Sequence, residues 1–432
     1  MNQNENSSRR DFLTHSGVAL TGVSALGAAS VMSPSGVFAA ENKNSARLKV
    51  GLIGCGGRGT GAAINALQAD RDTELFALAD AFEDRLKGSL AGLKRKGNLA
   101  NQITVTPETS FVGFDAYKKV IDCCDVVLLC TPPHFRPQHL RAAVEAGKHI
   151  FCEKPIAVDA PGVRSVIDSA QLARKKGICL VSGFCYRYDQ AKRETIRRIH
   201  DGAIGDIVAI QICYNTGSLW YRPAKPEASD MEKQMRNWYY YTWLSGDHIV
   251  EQHVHNFDKT AWVLNGEMPI AATGTGGREV RTDKKFGNIF DHHAVAFEYK
   301  NGMRLFSYCR QQPGCTSDVS DHILGSKGRA ELMSHRIIGP NNWEFQGEAP
   351  DMYQVEHNEL FKSIRAGKTF NDGESAAFST MMAIMGRMAT YTGKRVTWEQ
   401  AFHSKEILGP SNYEWGALPE VKIAIPGVTK LI

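Results

Sequence analysis

Short apolar runs and helical spacings alternate through the first part of the chain, and beyond residue 187 strict alternation of apolar and polar positions takes over. Residues 47–53 alternate and then run apolar into Gly54-Cys55-Gly56-Gly57-Arg58-Gly59, and residues 60–69 carry a helical pattern. Strands are predicted next over 74–79, 125–131 and 149–152, with a helix over 137–146. This order predicts an α/β fold on a parallel, doubly wound sheet. After a further strand at 177–187, the segments 207–214, 292–299 and 303–309 alternate, predicting a large, mostly antiparallel open sheet with helices over one face. Two domains are expected, 46–165 and 166–432, because chains well above 250 residues ordinarily divide into separate cores.

Residues 1–39 follow neither pattern. Ser8-Arg9-Arg10-Asp11-Phe12-Leu13 is a twin-arginine sequence, and the weakly apolar stretch after it ends at Val37-Phe38-Ala39, a small-residue cleavage site. Gly17, Gly22, Gly27, Pro34 and Gly36 make a poor membrane helix, and no later segment stays apolar for the roughly 20 residues of a span. The expectation is a periplasmic protein without a stable membrane span, exported folded and therefore suited to carrying a cofactor acquired beforehand. With 51 basic and 46 acidic side chains the net charge is +5, and no single-sign run concentrates it, so no nucleic-acid partner is expected. Ten cysteines include no Cys-x-x-Cys pair, which argues against a cysteine-built metal or iron–sulfur site.

The glycine turn carries the first chemistry. Gly54, Gly56 and Gly59 form Gly-x-Gly-x-x-Gly between a strand and a helix: the first glycine makes the turn, the second lets backbone approach a pyrophosphate, and the third lets helix pack on strand. Gly57 and Arg58 complete the loop, and the pyrophosphate would rest on the helix N-terminus. Asp80 ends the second strand about 20 residues on, where a carboxylate accepts both ribose hydroxyls and favours NAD. NADP stays open, because Arg58 or Arg85 is near enough in sequence to meet a 2′-phosphate.

Thr131-Pro132 after the third strand, the run Ala146-Gly147-Lys148-His149-Ile150-Phe151-Cys152-Glu153-Lys154-Pro155, and residues 251–266 give the chain a detailed resemblance to one family. It resembles the Gfo/Idh/MocA oxidoreductases, the group of glucose-fructose oxidoreductase and inositol 2-dehydrogenase, over nearly all of the chain beyond residue 39. The resemblance implies that Thr131, Pro132, Glu153 and Lys154 border the cofactor and that Lys154 hydrogen-bonds the reacting hydroxyl between nicotinamide and substrate. It also implies a homodimer or homotetramer formed through the open sheet face and a carbohydrate as small-molecule substrate; a tightly held cofactor is expected instead from folded export into a periplasm with no free NAD pool. Relatives carry Asp-x-x-x-His in the later segment, so His255 takes the place of the general base and Glu251 that of the aspartate. Arg187 matches an arginine that borders the substrate pocket, and Arg136 stands near a position often held by histidine.

If residues 245–258 are helical, Asp247, His248, Glu251, His255 and Asp258 share one stripe, which is not how a core face is written. Acid–base work is the preferred reading; a metal held by His248, Glu251 and His255 is the alternative, and none is expected. Trp238, Tyr239, Tyr240, Tyr241 and Trp243 precede this segment, and Trp238, Tyr240 and Trp243 are candidates to stack on a sugar ring. Asp291, at the start of a predicted strand, is a second-tier pocket candidate. The expected activity is NAD(P)-dependent hydride transfer from a secondary hydroxyl of a sugar, cyclitol or glycoside. The alternative is glycoside cleavage through a transient 3-keto sugar with NAD retained, as in the family 109 glycoside hydrolases that the chain also resembles.

Overall fold

The computed structural model describes residues 46–432. The twin-arginine sequence and its cleavage site lie outside the described residues. In chain order the first region contains β1 (Leu48–Ile53), α1 (Gly57–Ala69), β2 (Thr73–Asp80), α2 (Glu83–Lys94), β3 (Ser110–Val112), α3 (Ala116–Cys123), β4 (Val126–Leu129), α4 (Arg136–Glu145), β5 (His149–Cys152), α5 (Ala160–Lys175) and β6 (Leu180–Ser182). Its six strands are parallel, in the order β3-β2-β1-β4-β5-β6. Strand order reverses between β1 and β4, and open sheets of this kind bind ligands at the carboxyl ends of the strands beside that reversal. Both faces are covered, so the central strands read as continuous apolar runs; all four residues of β4 are buried.

The strand expected over 177–187 shrinks to β6. At Gly183 a Cβ would come within 2.7 Å of the Glu153 carboxylate, and a single 3₁₀ turn, Cys185–Tyr188, follows. Because β6 belongs to the parallel sheet, that sheet runs past residue 165, where the sequence placed a domain boundary.

The second region contains α6 (Gln190–His200), β7 (Ile207–Thr216), α7 (Asp230–Arg236), α8 (Thr242–Ser245), α9 (His248–Glu251), α10 (Val254–Val263), β8 (Ala271–Gly277), β9 (His292–Glu298), β10 (Arg304–Gln311), β11 (Asp318–Gly325), β12 (Arg329–Glu331), β13 (Arg336–Ile338) and β14 (Trp343–Glu344). It closes with α11 (Met352–Arg365), α12 (Gly373–Thr392), β15 (Val396–Thr397) and α13 (Trp398–Phe402). Nine strands form one sheet, antiparallel except for the β7–β10 pair. Alternation is followed closely: along β9 inner residues are buried while His292, Ala294, Ala296 and Glu298 face outward, half-buried. The outer face exposes Val208, Phe306, Tyr308 and Leu324.

Helix α12 is apolar nearly all round and correspondingly buried between the two regions, and Gly393 ends it in the left-handed conformation at φ 69°. Continuous apolar packing joins α5 to α12 and to the inner face of the second sheet, so the two regions share one core.

The helix expected over 245–258 is not continuous. Gly246 (φ 80°) ends α8, and Asp247 takes the unusual value of φ 77° for a residue with a side chain. Asp247 holds this conformation through its carboxylate, which accepts from its neighbour's backbone at His248, from Phe290 N at 2.8 Å and from the Tyr391 hydroxyl at 2.6 Å. The chain turns again between α9 and α10, and the single stripe of charged residues is divided.

Candidate active site

A cavity of about 550 Å³ opens at the reversal point of the parallel sheet, within the usual size range of ligand pockets. Gly54, Gly56, Gly57, Arg58, Gly59, Asp80, Thr131, Pro132, Glu153 and Lys154 all line it. The glycines act as their spacing predicts. Gly54 has φ 101°, and a Cβ on it would strike the backbone of Cys130 and Thr131 at 2.6 to 2.7 Å; a Cβ on Gly59 would lie 1.9 Å from Gly54 O. Gly56 and Gly57 meet nothing within 4 Å, so backbone faces open space at the N-terminus of α1. That helix has neither a side-chain cap nor an acidic residue in its first turn, leaving its donors to an anion. These residues fit a dinucleotide.

Asp80 Oδ2 accepts from Cys55 N at 2.7 Å and Oδ1 from Phe82 N at 2.9 Å, which orients the carboxylate at the end of β2. Burial pushes its pKa up, and the two backbone donors oppose that rise. Each oxygen keeps a lone pair for a ribose hydroxyl. Asp80→Ala is expected to weaken NAD binding about tenfold, roughly one lost charge-assisted bond, as measured by titration calorimetry. Unchanged affinity would remove the ribose role.

Arg58 is not free for a 2′-phosphate. Its guanidinium pairs with Glu153 and, at 2.9 Å, with Glu356, and stands 4.7 Å from the Tyr353 ring centroid. Burial raises Glu356 strongly, with Glu153 adding to the rise, whereas for Glu153 the opposing charges of Arg58, Arg136 and Lys154 outweigh burial and lower its pKa. One cation thus serves one ionised carboxylate and one that favours its proton. Arg85 also lines the cavity, on the Asp80 side.

Lys154 follows β5 at the carboxyl edge of the sheet. Its Nζ donates to Glu251 O at 2.7 Å and to Glu251 Oε1 at 3.2 Å, and both side chains are only about 15% exposed, at 15% and 14%. Arg136 is buried and donates to Pro155 O, tying down the loop that carries Lys154. His255, on α10, lines the same cavity; its ring stands edge-on to Tyr186 at 5.2 Å and to Phe184 at 6.1 Å, and its Nδ1 is buried without a partner. Burial, and then the charges of Lys154, Lys259 and Arg58, hold His255 well below the usual histidine range, so the ring is neutral at neutral pH. Glu251 serves Lys154, where the sequence placed it as the support of His255; no hydrogen bond joins Glu251 to His255 among the described residues.

Other candidates lie elsewhere. Arg187 makes a bidentate pair with Asp258 at 2.8 to 3.1 Å. Tyr240 is buried and donates to Leu219 O, and Trp243 packs with Phe135, Met231 and Leu244 while its Nε1 donates to Gln234 at 2.7 Å. Asp291 is buried and accepts from the backbone of Glu279, Val280 and Arg281, fastening a loop. His248 is turned into the core beside Asp247 and His293, so His248, Glu251 and His255 do not meet. Of the aromatic candidates, Trp238 alone lines the cavity.

The oxidoreductase family model described as an NAD-binding Rossmann fold matches residues 48–184, and its C-terminal alpha/beta partner matches 196–408. The chain belongs to the Gfo/Idh/MocA oxidoreductase family. Its first region is thereby an NAD-binding domain. Inositol 2-dehydrogenase of Cereibacter sphaeroides is 24% identical over 79% of this chain and 94% of the relative. The 2,7-anhydro-N-acetylneuraminate hydratase of Escherichia coli is 25% identical over 70% of this chain and 73% of the relative. Scyllo-inositol dehydrogenase of Lactobacillus casei, solved with bound NAD(H) and scyllo-inositol, shares the fold with a TM-score of 0.62 at 18% identity, over 82% of this chain and 99% of that one.

Within this family site, several lining residues escaped the sequence reading. Trp220 and Arg222 come from the connection between β7 and α7, Arg236 from the end of α7, and Tyr353 from α11. Arg222 stacks on Trp220 at 4.1 Å, and Arg236 sits over Phe82 at 4.2 Å while pairing with Asp84 and Glu232. The segment after α13 returns to the same rim. Tyr413 shares a 2.8 Å hydrogen bond with His134 Nε2, and Trp415 packs on Phe82 and Phe114, with centroids at 5.1 and 4.6 Å. Phe82 and Phe114 line the cavity on its Asp80 side. None of these residues carries a local motif.

Proposed function

We propose that this oxidoreductase takes hydride from a secondary hydroxyl of a sugar, cyclitol or glycoside. The carrying observation is that Lys154 and His255, from different regions of the chain, line one cavity with the glycine turn. Hydride acceptance is the chemistry that bound nicotinamide supplies. Lys154, aimed by Glu251, holds the hydroxyl oxygen through Nζ, and neutral His255 takes the hydroxyl proton on its ring. Trp220 and Trp238 give the mouth aromatic surface suited to a sugar ring. The names of the inositol 2-dehydrogenase relatives favour a cyclitol or related polyol. Incubating the purified protein with a panel of cyclitols, aldoses and glycosides tests the proposal: NADH absorbance, or exchange of substrate carbon-bound hydrogen, is expected with at least one, and neither signal across the panel would overturn it.

A second reading is glycoside cleavage with the cofactor regenerated in place. Glu251 favours it, since a carboxylate beside Lys154 supplies a further group for the proton transfers of elimination, and one relative is named as a hydratase. Released aglycone without net NADH would select it. Both readings include a retained cofactor, which the segment carrying Tyr413 and Trp415 supports by packing Trp415 on Phe82 and Phe114, two rings that line the cavity. Deleting residues 410–432 is expected to raise the NAD dissociation rate about tenfold, the loss of roughly 1.4 kcal/mol of packing, by stopped-flow fluorescence; an unchanged rate would refute that role of the segment. The proposal is completed by twin-arginine export to the periplasm and by a homodimer or homotetramer that covers Val208, Phe306, Tyr308 and Leu324.

A further inference from the structure

A second constellation lies apart from the cavity, under α9. Asp247, His248 and His293 are at most 2% exposed, and each offers one ligand atom within 4.8 Å of the others. Asp247 Oδ1 stands 3.3 Å from His293 Nε2 and 3.8 Å from His248 Nε2. Neither ring nitrogen of His248 has a hydrogen-bond partner, and His293 Nε2 has none either. Buried polar atoms are ordinarily satisfied, so three unpartnered imidazole nitrogens around one carboxylate need an explanation.

The surrounding bonds sharpen it. The Thr390 hydroxyl lies 3.0 Å from Arg387 O and 2.9 Å from His293 Nδ1; with its hydrogen on Arg387 O, Nδ1 is the protonated nitrogen of that ring. In that tautomer Nε2 presents a lone pair to the Asp247 oxygen 3.3 Å away. A cation at that point satisfies both lone pairs in the dry core. That Asp247 oxygen, Oδ1, also accepts from His248 N, while Oδ2 is engaged by Phe290 N and Tyr391, and the nearby Arg281 guanidinium is spent on Phe290 O and Gln311. Bonds of this kind orient metal ligands from behind, as Thr390 would for His293 and Tyr391 for Asp247.

We propose that Asp247, His248 and His293 form a structural site for a divalent transition metal, zinc by ligand type. Two imidazoles and a carboxylate make a usual zinc set. Cys309, buried and directly opposite His293 in the β9–β10 register, lies on the same face of the sheet but outside the 4.8 Å group, so a water completes the set. The site bears on the cavity through α9: His248 opens that helix and Glu251, partner of Lys154, closes it. The positive φ of Asp247 is accounted for as well, because it turns carboxylate and imidazole toward the same point.

Elemental analysis of the full-length protein purified without a polyhistidine tag is the test, with cobalt(II) substituted for zinc as the optical probe. About one equivalent of zinc is expected, removable by dipicolinate with a fall in melting temperature and restored by zinc alone. The cobalt protein should show the intense visible bands of four-coordinate cobalt. His248→Gln and His293→Gln should each lose the metal; since buried changes can unfold a chain, the cobalt titration of the wild-type protein refolded from its apo form stands beside them. A wild-type protein that takes up neither zinc nor cobalt on refolding overturns the site. Folded variants that keep full metal content overturn it equally.

Discussion

Replacing Lys154 with alanine is expected to lower kcat/KM about a thousandfold on any polyol the wild type oxidises, the scale of losing one positioned group from an acid–base site. The expectation rests on placement: Nζ has no partner besides Glu251 among the described residues and sits at the carboxyl edge of β5, where an open sheet delivers its ligands. Loss of the ammonium also leaves the Glu251 carboxylate, only 14% exposed, without its cation. Glu251→Gln separates the two effects, since it keeps a hydrogen-bond acceptor for Nζ and removes the charge. If Lys154 holds the reacting oxygen, Lys154→Ala falls mainly in kcat with NAD affinity intact, and Glu251→Gln falls far less. Steady-state rates across pH 6 to 9, with calorimetric NAD affinities, read this out. A Lys154→Ala enzyme within tenfold of wild type would take the lysine out of the chemistry.

What the sequence made legible was local. Gly54, Gly56, Gly59, Asp80 and Lys154 are set by strand ends and one tight turn, so counting positions along the chain already places them around one crevice. The alternation of 292–299 and 303–309 likewise appears as β9 and β10, because a sheet with one covered face demands a period of two. Residues 245–258 failed for the opposite reason. A helical wheel assumes one axis, whereas Gly246 and Asp247 both adopt positive φ, and Asp247 is held there by Phe290 and Tyr391, more than forty residues away. The wheel therefore grouped His248 with Glu251 and His255, while the fold grouped it with His293. Trp220 and Tyr353 reach the cavity, and Trp415 the lining rings Phe82 and Phe114, from three distant segments, and no periodicity marks a residue whose role is to arrive from afar.

His255→Asn is expected to cost at least a hundredfold in kcat and to abolish the acid limb of the wild-type profile. The sign of that limb follows from the surroundings. Burial and the charges of Lys154, Lys259 and Arg58 favour the neutral ring, so the folded pKa lies well below the ordinary 6.5. A base must be unprotonated to act, hence kcat/KM stays level as pH falls to 6.5 and drops only as pH passes through the lower folded value. Lys154→Ala removes one of the charges responsible, and its residual activity should show the limb displaced upward, toward 6.5. Stability carries the same signature: below pH 6.5 the unfolded chain binds the proton first, so this histidine weakens the folded state progressively until pH reaches the folded pKa. A wild-type limb centred at or above 6.5, or one that survives in His255→Asn, would assign the base to another group, and Glu251, held against Lys154 Nζ in the same cavity, would be the next to replace.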